Sequence, residues 1–318
     1  MPELLKSIEK IDDMTVRIQL TRPEAPFLAD IAMPFNTILS AEYADKLLAA
    51  GTPEMLDQRP VGTGPFVFAG FQRDVAVRYH VFPDYWEGQQ PIDTLVFSIT
   101  PNPAVRLTKL KAGECHVMAF PNPPDTQRIA DDPNLRLMKQ EGFNVGYLAL
   151  NTQKPPFDDI LVRRAINMAI DKKAIIEGAY DGAGVVAKNP IPPTLWSYNE
   201  DIVDYPYDPD EAQLLLAEAG YPNGFETDLW YMPVSRPYSP DAKRIAEMIQ
   251  ADLARIGVRA NLVTKEWADY RTALQNGDHS MALYGWTGDN GDPDNFLHVL
   301  LGCTSARKGG NNVARWCN

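Results

Sequence analysis

The residues of this 318-residue sequence that could do chemistry are cysteines, histidines, one acid-rich, glycine-rich segment and a few loop charges. Cys303 and Cys317 bracket a polar, Gly-rich stretch from Thr304 to Trp316. Such a pair can close a surface loop as a disulfide in an oxidising compartment, or remain two unrelated buried thiols; spacing alone leaves both open. Zinc is the weaker reading, because no CxxC and no neighbouring His pair accompanies them. Cys115 is left over. His80, His116, His279 and His298 show no metal or triad spacing, and HExxH, GxSxG and the P-loop do not occur. No enzyme activity, cofactor or metal centre is therefore expected. The segment Asp289-Asn290-Gly291-Asp292-Pro293-Asp294-Asn295 is rich in oxygen ligands, but a calcium loop needs acids or amides at its odd early positions and Gly at the sixth. Counted from Asp289, the third position is Gly291 and the sixth is Asp294, so ordinary turn chemistry is the better account. Two loop charges complete the inventory. Arg236, between Pro233 and Pro237, reads on its own as a solvated loop charge, and Asp289, beside glycines, as a turn residue.

The elements that must position these residues alternate between strands and helices. Strands are predicted at Thr15–Leu20, Phe66–Phe71, Val75–Phe82, Thr94–Ile99, Cys115–Phe120, Val145–Leu150, Thr227–Tyr231, Arg259–Thr264 and Met281–Trp286. Helices are predicted at Ala41–Ala50 behind an N-cap at Ser40, and at Pro103–Ala112, Asp158–Ala179, Asp208–Ala219 and Pro240–Ile256. The Pro-, Tyr- and Asp-rich stretch Lys188–Pro209 reads as a long surface loop. Alternation of this kind argues for α/β domains.

Composition narrows the function classes. At about 150 residues per domain the length suggests two domains. Lys and Arg total 30 against 42 Asp and Glu, a net charge of −12. A surface that acidic repels phosphate backbones, which excludes nucleic acid as a partner. No apolar run reaches the ~20 residues a membrane helix needs. Met1-Pro2-Glu3-Leu4-Leu5-Lys6 lacks the basic start and apolar core of a signal peptide.

Four segments together carry a resemblance. They are Gly62-Thr63-Gly64-Pro65-Phe66, Val162-Arg163-Arg164-Ala165-Ile166-Asn167-Met168-Ala169-Ile170-Asp171, Tyr207-Asp208-Pro209-Asp210-Glu211-Ala212, and Gly285-Trp286-Thr287-Gly288-Asp289-Asn290-Gly291-Asp292-Pro293. The chain resembles the extracellular solute-binding proteins of the peptide, opine and nickel type that serve bacterial ABC importers, and within that family its dipeptide-binding branch. The resemblance implies an α/β, two-lobed periplasmic-binding-protein fold with a hinge, here as a truncated chain with lobe I incomplete. Residues 1–141 are then part of lobe I, including the end of its extra subdomain. Residues 142–318 form lobe II, and the C-terminal return to lobe I lies beyond the chain. It implies a periplasmic monomer that partners the permease subunits of an importer, and a disulfide between Cys303 and Cys317. Cys115 matches a family cysteine whose partner lies outside this chain, so it is expected unpaired.

A dipeptide is a zwitterion, and burying both its ends demands one basic and one acidic partner. Arg suits the carboxylate because its planar fork donates two parallel hydrogen bonds. By resemblance, Arg236 in Met232-Pro233-Val234-Ser235-Arg236-Pro237-Tyr238 holds the ligand carboxylate and Asp289 holds its amine. Tyr238 and Trp286 wall the cleft, although plain core packing is an equal reading for Trp286, and backbone groups of Trp286 and Gly288 bond the peptide. Relatives that take longer peptides carry an Arg three residues before the equivalent of Trp286; Leu283 stands there in this sequence, which favours dipeptides. Other cargoes of the family (opines, aminolevulinate, haem or nickel chelates) form the alternative.

Overall fold

The computed structural model describes residues 4–317; Met1-Pro2-Glu3, part of the opening read above for a signal peptide, and Asn318 lie outside the described residues. The chain divides into two compact units, residues 1–33 together with 138–318, and residues 34–137. The first unit begins with an antiparallel hairpin of β1 (Leu5–Lys10) and β2 (Val16–Leu20), in which Ile8 faces Ile18. The alternation of Val16, Ile18 and Leu20 predicts a half-buried strand, yet Val16 and Ile18 are exposed. The strand pairing is local, and the described residues do not cover its apolar face.

Residues 34–137 hold an antiparallel meander of β3 (Phe66–Gln72), β4 (Ala76–Val81) and β5 (Thr94–Ser98). Phe68, Tyr79 and Phe97 contact edge to face across it, with centroids 5.8 and 6.0 Å apart. The helix Ala41–Ala49 is capped by Ser40, whose hydroxyl accepts the N–H of Tyr43. The helix Pro103–Lys111 is capped by Asn102. The strand predicted at Cys115–Phe120 does not form. Phe120 sits at φ 52°, in the left-handed region that no strand tolerates, and its carbonyl accepts a hydrogen bond from Arg106.

The remaining strands, β6 (Asn144–Leu150), β7 (Glu226–Trp230), β8 (Arg259–Val263) and β9 (Met281–Thr287), build one mixed sheet in the order β6-β9-β7-β8. β6 pairs antiparallel with β9, whereas β7 runs parallel to both of its neighbours. β9 is buried from Met281 to Gly285, which is why it reads as a continuous apolar run. The helices Ile160–Ala169, Pro209–Glu218 and Ala242–Arg255 turn apolar stripes into this core; Val162, Ile166, Leu216, Ile249 and Leu253 are at most 3% exposed. Each such side chain contributes roughly 1.5–3 kcal/mol by leaving water.

The single helix predicted over Asp158–Ala179 is two, Ile160–Ala169 and Lys172–Tyr180. Ile170 turns extended, and Asp171 starts the second helix by accepting the N–H of Ala174. The buried carboxylate of Asp252 accepts the N–H of Asp171 and fixes the break. Two helices that the sequence reading omits, Trp267–Asn276 and Asp294–Leu301, flank β9 in sequence.

Candidate binding site

Because β7 and β9 are parallel neighbours, the loops leaving their carboxyl ends emerge at one edge of the sheet. The loop after β7 carries Arg236 and Tyr238; the loop after β9 carries Gly288 and Asp289. The first is a tight turn in which Arg236 and Ser239 exchange both backbone hydrogen bonds at 2.9 Å. Pro237 supplies the preset φ that position two of such a turn favours.

Tyr238 brings this turn onto the sheet. Gly146 and Gly285 are directly paired across β6 and β9. A Cβ on Gly146 would overlap the Tyr238 carbonyl oxygen, and one on Gly285 would overlap the Tyr238 ring. The paired glycines are thus a slot that only a bare backbone leaves open. The Tyr180 hydroxyl donates to the same Tyr238 carbonyl at 2.9 Å. Burial pushes the Tyr238 phenol up to about 12, with Tyr284 adding to the shift and Arg236 and Arg271 opposing it. Burial also raises Tyr284 and Tyr147, which face each other across the strands edge to face at 6.2 Å. These phenols stay neutral at ordinary pH, so the positive charge of Arg236 is not cancelled by its aromatic neighbours.

The Arg236 guanidinium carbon stands 4.3 Å from the centroid of the Trp267 ring. Among the described residues no ion pair involves Arg236, and its buried Nε has no hydrogen-bond partner.

Asp289 is exposed, and its loop is organised by Asn295. The Asn295 side-chain oxygen accepts the Trp286 indole N–H at 2.8 Å and the Asp289 backbone N–H at 3.1 Å, and its amide donates to the Asp289 carboxylate at 3.3 Å. Gly288 donates its N–H to the Phe143 carbonyl at 2.7 Å, so that N–H is already committed rather than open to a peptide. A Cβ on Gly288 would come 2.6 Å from the Phe296 ring. Trp286 is partly buried and packs against the small cluster of Val145, Ile191, Leu195, Phe296 and Leu300. Asn290, Asp292 and Asp294 form successive side-chain-to-backbone turns. Burial, then Asp294 and Asp292, raise the carboxyl of Asp30, which accepts a hydrogen bond from Asn290. Among the described residues no cluster of His, Cys, Asp or Glu is arranged to hold a metal.

The structure therefore joins Tyr238 to Gly285, Trp286 to Asp289 through Asn295, and Arg236 to Trp267; among the described residues no hydrogen bond or ion pair links Arg236 to Asp289 directly, and the turn after β7 reaches β9 through Tyr238 on Gly285. Leu283 is buried, and its carbonyl accepts the Tyr270 hydroxyl at 2.7 Å. Trp267, Asn295 and the Gly146–Gly285 pair escape the sequence reading. A glycine inside an apolar strand is the one local signal that could have flagged the last of these. The disulfide Cys303–Cys317 is present, with a Cα separation of 4.8 Å. Cys115 is a free thiol.

Comparison with known proteins gives a consistent picture. The model of the bacterial extracellular solute-binding proteins, family 5 (middle region), matches residues 2–308. The chain is 56% identical over 317 residues to heme-binding protein A of Haemophilus influenzae, covering 100% of this chain and 58% of the relative. It is 54% identical to the dipeptide-binding protein of Escherichia coli, covering 100% of this chain and 59% of the relative. Among solved structures, the dipeptide-binding protein of Pseudoalteromonas sp. SM9913 in complex with Met-Leu superposes with a TM-score of 0.92 at 40% identity, over 99% of this chain and 62% of that one. The chain thus spans about three fifths of the length of these relatives.

Proposed function

This chain belongs to the bacterial extracellular solute-binding proteins, family 5, and on that premise we propose that it captures dipeptides for an ABC importer. In this reading Arg236 receives the ligand carboxylate and Asp289 its ammonium. Tyr238 and Trp286 supply apolar walls, and Gly288 keeps the Asp289 loop close to Phe296. The permease subunits of the importer are the partners, the working form is a monomer, and the compartment is the periplasm, where Cys303–Cys317 stays oxidised. Residues 142–318 correspond to lobe II and residues 1–141 to part of lobe I.

The observation that supports the reading best is the presence of opposite charges on loops that leave neighbouring strands. Arg236 and Asp289 follow parallel neighbouring strands, and Arg236 has no acidic partner of its own among the described residues. A zwitterion a few bonds long is the simplest ligand that answers both charges. Calorimetric titration of the purified full-length protein with Met-Leu, the ligand of the Pseudoalteromonas relative, tests it. Arg236→Ala should weaken binding by ~2–5 kcal/mol, mostly because a buried carboxylate loses its partner. Unchanged affinity would remove Arg236 from the site. The same titration with haem, the cargo named for the Haemophilus relative, separates the two cargo classes.

A further inference from the structure

A partly buried guanidinium ordinarily finds a carboxylate or several carbonyls. Arg236 has the face of Trp267 instead, 4.3 Å from guanidinium carbon to ring centroid. Its Nε, and the Oγ of Ser239 in the same turn, are buried and unpartnered. A ring against the flat face of a guanidinium fixes its plane and attracts its charge, yet leaves untouched the in-plane N–H donors that a carboxylate uses.

The ring is itself held. Trp267 is the first residue of the helix Trp267–Asn276 and stacks on Tyr270 at 6.0 Å and 17°. Tyr270 is fully buried, and its hydroxyl donates to the Leu283 carbonyl of β9 at 2.7 Å. A chain of contacts therefore runs from the sheet through Tyr270 and Trp267 to Arg236. Among the described residues the other cation near the ring is Arg271, 6.0 Å from its centroid, and it cannot neutralise Arg236.

The geometry points to Trp267 as a positioning residue: it holds the Arg236 fork in one plane with its donors unspent, so that a ligand carboxylate meets a preformed clamp. The inference rests on the proposed carboxylate role of Arg236 and assigns the group that makes that role effective.

The test is a set of titrations on the full-length protein with Met-Leu and with its C-terminal amide, which lacks the carboxylate; the weaker amide is followed by competition. Trp267→Leu should weaken Met-Leu about five- to thirty-fold, the worth of a partly desolvated cation–π contact. It should leave amide binding within about two-fold. Trp267→Phe, which keeps a ring, should restore most of the Met-Leu affinity and also guards against misfolding of the Leu variant. In an Arg236→Ala background, Trp267→Leu should add almost nothing. Equal losses for acid and amide, or full additivity with Arg236→Ala, would make Trp267 a packing or wall residue and overturn the inference while leaving the Arg236 clamp standing. If Arg236→Ala itself leaves Met-Leu binding unchanged, the clamp reading falls, and the positioning role falls with it.

Discussion

Asn295 spends its amide on three groups: the Trp286 indole, the Asp289 backbone and the Asp289 carboxylate. It holds the proposed ammonium partner in shape although it need not touch the ligand. Asn295→Leu should lower stability by ~1–3 kcal/mol, the cost of leaving such groups unpaired, and weaken Met-Leu binding as the Asp289 loop loses its shape. Calorimetry that finds wild-type affinity would show that the loop holds itself. Nothing in the sequence marks this residue, because an Asn at the start of a helix reads the same whether it serves a cap, a turn or a neighbour. Arg236 and Asp289 pose the same problem: their types fit solvated loop charges equally well, and only the family resemblance singles them out. His279 is different in kind. It is fully buried, its Nε2 lies 2.9 Å from the Val313 carbonyl, and its Nδ1 has no partner. Burial lowers its pKa from 6.5 to about 4. The unfolded chain therefore takes up this proton first, and stability is lost as pH falls from about 6.5 towards 4. The loss is on the order of 3 kcal/mol. Urea denaturation should show that slope in wild type and a flatter one in His279→Leu; identical slopes would contradict it.

At the scale of elements, the decisive device is the Gly146–Gly285 pair, which lets the Tyr238 turn lie flat on β6 and β9. Gly285→Ala must push the Tyr238 ring aside, costing ~1–3 kcal/mol as an overpacked contact and displacing Arg236 from its place. Gly62→Ala, where a Cβ meets nothing within 4 Å, is the control. Thermal melts and Met-Leu titration should separate the two variants, and equal behaviour would refute the slot. In this sheet β6 and β9 are legible as short apolar runs and β8 by its alternation of polar and apolar residues, and the long helices because their stripes repeat every three to four residues. The helix Trp267–Asn276 is harder to read. Its apolar stripe is only Trp267, Tyr270, Ala273 and Leu274, and two of these are aromatics of modest helix propensity. Packing under β7 and β9 decides its state, a long-range term that no local window contains. The break at Ile170–Asp171 is half legible: Asp171 is a good N-cap, but the buried Asp252 that secures it lies far along the chain.

For the whole molecule, the disulfide ties down the segment from Cys303 to Cys317, in which Asn312 and Val313 are buried and the Asn312 amide donates to the carbonyls of Gly302 and Trp316. Spacing alone leaves that bond open and the resemblance predicts it, so it is legible at the family level rather than at the residue level. The charge balance of −12 is consistent with a ligand that is neither nucleic acid nor an anionic membrane surface. The central claim is more specific: a short zwitterion is gripped at both ends by opposite charges from two neighbouring loops. One closed cycle tests it most directly, calorimetric affinities of wild type and Asp289→Asn for Met-Leu and for N-acetyl-Met-Leu. Acetylation removes the ammonium, so it should abolish most binding to wild type but matter far less to Asp289→Asn, where the charge partner has already gone. Full additivity of the two changes would contradict the claim and leave Asp289 as a turn residue.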